Sequence, residues 1–95
     1  MKTYEIALTM YVSKDSDDAV GIKDNALEKL QYLERVAECY WDEDDEDYNI
    51  FTILRLQART LNVQTIRNKL MKLLPNLPWD YHYIKGIDND EYWQP

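Results

Sequence analysis

The side chains best suited to chemistry are grouped in one acidic segment, residues 38–47, which reads E-C-Y-W-D-E-D-D-E-D. It contains no base and seven acids: Glu38, Asp42, Glu43, Asp44, Asp45, Glu46 and Asp47. The chain has a net charge of -7, so its other 85 residues, with 11 acids and 11 bases, are neutral. Grouped carboxylates can bind a metal ion, transfer protons or attract a cationic partner.

The acidic segment does not have the spacing of a calcium loop. An EF-hand loop needs oxygen ligands at positions 1, 3 and 5, glycine at position 6 and glutamate at position 12. A loop starting at Asp42 has Asp47 and Ile53 at the last two of these positions, and a start at Asp44 fits no better. Two further pairs are equally incomplete: Asp15 with Asp17, and Asp88 with Asp90. We therefore predict no metal site and no cofactor.

Catalytic patterns are also missing. A carboxyl group that acts as a general acid must be desolvated, whereas six consecutive acids favour a solvated loop. His82 is the only histidine, and Asp80 would share its strand face as an orienting carboxylate, but a lone histidine in a strand is more often an ordinary surface or packing residue. Cys39 lies among acids, which disfavour the reactive thiolate. With two glycines in all, no glycine-rich phosphate loop can form. We predict that the protein is not an enzyme.

The acidic segment is better suited to binding a basic partner. Tyr40, Trp41 and Tyr48 lie within or beside it, and tyrosine and tryptophan are enriched at protein interfaces. A concentrated negative charge attracts a cationic surface and raises the association rate. The predicted partner-binding residues are therefore Glu38, Tyr40, Trp41, Asp42, Glu43, Asp44, Asp45, Glu46, Asp47 and Tyr48. The alternative is that the charge serves only solubility and prevents edge-to-edge strand pairing.

Direct nucleic-acid binding is disfavoured, because a net charge of -7 repels phosphates. The strand around Phe51 lacks the glycine and the second aromatic residue of an RNA-recognition motif. Five bases could nevertheless form a local basic patch: Arg55, Arg59, Arg67, Lys69 and Lys72.

The length and composition indicate one globular domain, residues 1–87, followed by a C-terminal tail, residues 88–95. The single Cys39 excludes an internal disulfide, which fits a reducing compartment. The first residues lack the apolar run of a signal peptide, and no 18-residue apolar segment is present. We therefore expect a cytoplasmic protein that does not interact with membranes.

The first half of the chain predicts a strand and a helix. Residues 3–12 alternate between apolar and polar positions, which is typical of a half-buried strand. An apolar stripe at helical spacing follows, formed by Ile22, Ala26, Leu30, Leu33 and Ala37. Asn25 with Glu28 resembles a capping box, although Asp18 or Asp24 could cap the helix instead.

The second half predicts three strands and one helix. Residues 38–43 favour a strand over a continued helix, because cysteine, tyrosine and tryptophan are poor helix formers. The acidic run is then a hairpin tip before a clear strand at residues 49–60. A helix should begin at Asn62 and end at Leu74, since Pro75 follows. Residues 79–84 complete the pattern as a last strand.

This order predicts a ferredoxin-like βαββαβ fold, a four-stranded antiparallel sheet with both helices on one face. We expect the end of the first strand and the hairpin tip to lie at opposite ends of that sheet. The six residues 42–47 extend about 20 Å, a length over which duplex DNA carries roughly 12 charges. The hairpin is therefore better suited to filling a short basic groove than to full mimicry of a nucleic acid.

The sequence thus favours a small acidic inhibitor or regulator that places its hairpin on a basic, nucleic-acid-binding surface of another protein. Small, acidic, motif-free chains of this kind are typical of phage-type anti-defence proteins, an analogy of size and charge. The alternative is a homodimer through the open face of the sheet, with a cavity for binding or converting a small molecule. The residues expected on that face are Tyr11, Phe51, Ile53 and His82.

Overall fold

The computed structural model describes residues 1–95, which form an α+β fold with two helices and a five-stranded antiparallel sheet. The elements are β1 (Lys2–Ser13), α1 (Ala19–Gln31), β2 (Val36–Glu43), β3 (Asp47–Ala58), α2 (Val63–Leu73), β4 (Trp79–Gly86) and β5 (Tyr92–Trp93). The strand order is β2-β3-β1-β4-β5. The sheet therefore differs in strand number and order from the predicted four-stranded sheet, because Tyr92–Trp93 adds a fifth strand along β4.

The core lies between one face of the sheet and the two helices. The alternation predicted for β1 is confirmed, and its apolar positions Tyr4, Ile6, Leu8, Met10 and Val12 are all buried there. Both helices contribute to the same cluster of 16 buried residues, so the opposite sheet face has no helix over it. We call the two sides the helix face and the open face.

The helix α2 begins and ends as predicted. The Asn62 side chain accepts a hydrogen bond from the backbone N–H of Thr65 at 3.0 Å, which satisfies one of the unpaired amides of the first turn. The helix ends at Leu73, because Pro75 disfavours a helical backbone at the residue before it, Leu74. Neither helix has the length and apolar character needed to cross a membrane.

The helix α1 begins at the first of the two alternative caps, Asp18, and not at the capping box of Asn25 with Glu28. Asp18 is its N-cap residue, with a left-handed backbone (φ 55°) and no side-chain capping bond. Gly21 leaves room for the Asp18 carboxylate, because a Cβ there would lie 2.2 Å from a carboxylate oxygen. The predicted stripe was too long: Leu33 and Ala37 lie outside the helix, since α1 stops at Gln31 and β2 begins at Val36.

The acidic run connects β2 to β3 as a hairpin tip, and residues 38–43 are in a strand as favoured. The predicted separation of this tip from the end of β1 is wrong. Because β3 leaves the tip antiparallel to β1, its first residue, Asp47, pairs with the last residue of β1, Ser13. The Lys14 backbone N–H also donates to the Glu46 carbonyl at 2.9 Å. The two loops therefore meet at the same end of the sheet.

Glu91 ties the C-terminal segment, predicted as a tail, to the rest of the sheet. Its carboxylate accepts hydrogen bonds from Lys2 Nζ at 2.8 Å and from the hydroxyl of the buried Tyr4 at 2.9 Å. The Leu61 backbone N–H donates to the same group at 3.3 Å. The bonds from Lys2 and Tyr4 lower the pKa of Glu91, so folding favours its ionised form.

We predict that Glu91→Gln lowers the free energy of unfolding at pH 7. The folded-state pKa lies below the ordinary value of 4.5, so the stabilisation is present above that value and is lost as the pH falls through the folded pKa. The difference between variant and parent should shrink between pH 5 and pH 3, measured by urea unfolding. Glu34→Gln, at an exposed position, is the control. A Glu91→Gln deficit independent of pH would contradict this ionic role.

Candidate functional site

Two loops that are distant in sequence form one acidic pole at an end of the sheet. We define the acidic pole as the nine carboxylates of Asp15, Asp17, Asp18, Asp42, Glu43, Asp44, Asp45, Glu46 and Asp47. The loops that carry them, residues 13–18 and 42–47, contain one base, Lys14, and have a net charge of -8. The remaining residues carry nine acids and ten bases. The negative charge of the protein therefore lies at this end.

The hairpin tip turns without glycine, because the Asp44 side chain holds it. Asp44 Oδ1 accepts the backbone N–H groups of Glu46 at 2.8 Å and Asp47 at 2.7 Å, and the Asp44 N–H donates to the Asp47 carbonyl at 3.0 Å. These backbone bonds from Asp47 and Glu46 lower the pKa of Asp44. Asp45 and Glu46, at the apex, are exposed to solvent.

Most of the acidic pole is not neutralised by the protein's own cations. Its one ion pair joins Lys14 Nζ to Glu43 at 2.7 Å, and this bond raises the pKa of Lys14. Asp42 and Asp44 share a neutral partner instead, because Asn49 Nδ2 donates to Asp42 at 3.1 Å and to Asp44 at 3.2 Å. Eight of the nine carboxylates thus have no ion-pair partner within the protein.

The strand alternation divides the predicted partner-binding residues between the two sheet faces. Tyr40 and Asp42 pair with Phe51 and Asn49 on the open face. Trp41, Glu43 and Tyr48 lie on the helix face, where Trp41 and Tyr48 make an edge contact with 6.0 Å between ring centres.

Glu38 pairs with Ile53 in mid-sheet, about 17 Å along the strand from Glu43, so it lies outside the acidic pole.

Lys23 connects α1 to the hairpin and is not among the residues predicted from the sequence. Its side chain is buried, with Nζ 3.7 Å from the ring centre of Trp41 and 5.0 Å from that of Tyr48. An ammonium over an aromatic face is attracted by the ring's π electrons, more strongly where water is excluded. The sequence did indicate that Lys23 is buried, because its helical spacing from Ala19 and Ala26 places it on the inward side of α1.

A shallow depression lies on the open face beside the acidic pole. It has a volume of about 330 Å³, and its lining includes Tyr11, Tyr40, Phe51, Asp42 and Asp44. The rings of Tyr40 and Phe51 are 4.9 Å apart, and Phe51 continues the row to His82 at 5.4 Å. Burial, together with the nearby Asp80, raises the pKa of the Tyr11 hydroxyl.

The other candidate groups, His82 and Cys39, each have a neutral hydroxyl as hydrogen-bond partner. His82 Nε2 lies 2.5 Å from Thr9 Oγ1, with no carboxylate partner. Burial raises the pKa of the Cys39 thiol, which opposes thiolate formation. No three histidine, cysteine, aspartate or glutamate side chains are placed to hold a metal ion.

The predicted basic patch is divided by the sheet. Arg55 lies on the open face, 3.8 Å from Glu5, whereas Arg67 and Lys69 belong to α2 on the helix face. Arg67 covers the Trp79 ring at 4.5 Å, and Lys69 donates to the Gln57 carbonyl at 2.9 Å. These bases therefore do not form one cationic surface for phosphates.

We predict that Lys23→Met destabilises the protein by about 1 kcal/mol, because it removes the cation while keeping the apolar stem. Equilibrium urea unfolding at pH 7 measures the change. Lys29→Met, at an exposed position of the same helix, is the matched control and should change stability by less than about 0.5 kcal/mol. An unchanged or more stable Lys23→Met protein would contradict the attraction between Lys23 and the rings.

No protein-family model matches the chain, and no curated protein matches it.

Proposed function

We propose that this protein is a small non-enzymatic interaction protein, and that its acidic pole binds a basic surface of another protein to inhibit or regulate it. The main observation behind this proposal is that two loops distant in sequence meet at the acidic pole. Eight of its nine carboxylates have no ion-pair partner. Concentrated charge of one sign accelerates association with an oppositely charged surface and selects among partners. A cytoplasmic partner fits the single cysteine.

The dimensions of the acidic pole support a nucleic-acid-binding groove as the partner surface. The molecule measures 41 × 26 × 20 Å. The 12 residues of β1 extend about 40 Å, which matches the longest dimension, so the acidic pole lies at one end of that axis, within a cross-section of 26 × 20 Å. Duplex DNA carries roughly 12 charges over 20 Å. The nine carboxylates of the acidic pole approach this number of charges. They therefore favour nucleic-acid mimicry more than the six carboxylates of residues 42–47 do alone.

The role of a phage-type anti-defence protein extends this proposal. Such a protein needs to occupy a cationic groove without catalysis, and the acidic pole supplies the required charge on a rigid sheet end. We also propose a ferredoxin-like description of the fold, in which β1-α1-β2 and β3-α2-β4 are the two halves and β5 is an added edge strand. This description is supported by the helices sharing one face.

The proposal predicts that binding depends on where charge is removed, not on how much. A pole variant (Asp17→Asn, Asp45→Asn, Glu46→Gln) and a control variant (Glu28→Gln, Glu34→Gln, Asp90→Asn) lose the same three charges at exposed positions. Partners captured at low salt on the immobilised parent protein, and released by duplex DNA, provide the binding assay. We expect about tenfold weaker binding for the pole variant and less than twofold for the control.

The same assay should show a steep loss of affinity with added salt, since exposed charges are screened over about 8 Å at physiological ionic strength. Asp44 is left unchanged in both variants because it holds the turn. Equal losses for the two variants, or binding insensitive to salt, would remove the acidic pole as the binding surface.

A second candidate is a dimeric domain that binds or converts a small molecule on its open face. The depression of about 330 Å³ and its aromatic row favour it, since ligand sites are typically concave, aromatic-lined and about 300–1,000 Å³ in volume. Phe51 and Ile53 are half-buried on this face and would be covered by a second copy.

The oligomeric state separates the two candidates. Size-exclusion chromatography with light scattering should give the monomer mass of 11.4 kDa if partner capture is the function. A dimer that persists at high salt would favour the second candidate. In that case Phe51→Glu should dissociate it, whereas Tyr32→Glu, at an exposed position on the loop after α1, should not.

A further inference from the structure

We propose that the depression on the open face is a binding site for an arginine side chain of the basic partner. This inference rests on the proposed function, and it names the group that the partner inserts. The walls are the rings of Tyr11, Tyr40 and Phe51, and the rim beside the hairpin carries Asp42 and Asp44. Aromatic faces and carboxylates both attract cations, so both kinds of lining group favour a positively charged ligand.

None of the protein's own cations forms an ion pair with Asp42 or Asp44. Lys14 and Lys23 contact Glu43, Trp41 and Tyr48 on the helix face. On the open face, Lys85 lies 3.3 Å and Arg55 3.8 Å from the same carboxylate, that of Glu5.

Asp42 and Asp44 therefore face the depression with the neutral Asn49 as their shared hydrogen-bond partner. The bonds from Asn49 fix one oxygen of each carboxylate and leave the other oxygen of Asp42 without an intramolecular partner. An external donor can complete this arrangement.

Arginine fits this arrangement better than lysine does. A guanidinium group is flat, so it can stack on the rings of Tyr40 and Phe51, which are 4.9 Å apart and tilted by 34°. Its five N–H donors form a fixed fork that can reach two carboxylates at once, and it is more weakly hydrated than an ammonium. Lysine offers a compact, strongly hydrated charge with no planar surface.

The test uses two labelled peptides, nine arginines and nine lysines, which carry the same charge. Fluorescence anisotropy at low salt gives the dissociation constant of each for the full chain. We expect the parent protein to prefer the arginine peptide by about tenfold. Tyr40→Leu removes a ring at a half-exposed position and Asp42→Asn removes a charge, and each should reduce the preference to about twofold.

Two matched controls remove the same groups elsewhere. Tyr32→Leu changes an exposed tyrosine far from the depression, and Asp45→Asn changes an acid at the hairpin apex. Both should keep the tenfold preference, although Asp45→Asn should weaken the two peptides equally. In the parent protein, amide shifts from the arginine peptide should centre on Tyr40, Asn49 and Phe51 in a ¹⁵N-correlated NMR spectrum.

The outcomes separate this inference from the proposed function. An unchanged arginine preference in Tyr40→Leu and Asp42→Asn, or NMR shifts spread over the whole acidic pole, would overturn the arginine site. The proposed function would still stand if both peptides bound in a salt-dependent way. Failure of both peptides to bind at low salt would overturn the two together.

Discussion

The antiparallel pairing of β1 with β3 determines where the charge of this protein lies. It brings Ser13 opposite Asp47 and so joins two acidic loops that are more than 20 residues apart in sequence. If the loops lay at opposite ends of these strands, about 40 Å would separate them. Neighbouring carboxylates about 7 Å apart repel by roughly 0.6 kcal/mol in water. The charges of the acidic pole therefore oppose its formation. The hydrogen bonds of the sheet hold it together.

The cations near the acidic pole stabilise one side of it and leave the other side available. Lys23 is buried against the rings of Trp41 and Tyr48, and Lys14 pairs with Glu43, all on the helix face. This side resembles a small polar core that fixes the hairpin to α1. On the open face the carboxylates have amide and backbone partners instead, which orient them without cancelling their charge. The strand alternation therefore determines which side of the acidic pole carries carboxylates without a cation beside them.

Local patterns predicted the regular elements well, because alternation in β1 and β3 and the cap at Asn62 depend on neighbouring residues. The adjacency of the two acidic loops depends on strand pairing between distant segments, and it was predicted wrongly. The short strand Tyr92–Trp93 also depends on non-local contacts, made by its neighbour Glu91 and by its pairing with β4. Lys23 was missed because lysine is rarely buried unless distant residues surround it. The hairpin tip could thus be foreseen, whereas the complete acidic pole and the depression could not.

A purely protective role for the charge explains only part of this arrangement. The strand β2 is an edge strand, and acids along an edge prevent pairing with other chains. Asp15, Asp17 and Asp18, however, lie in the loop after the central strand β1, where there is no edge to protect. Solubility would be served equally by charges spread over the surface, without the repulsion that clustering causes. A cluster formed at that cost, with its internal cations confined to one face, supports the proposed binding of an external cationic surface.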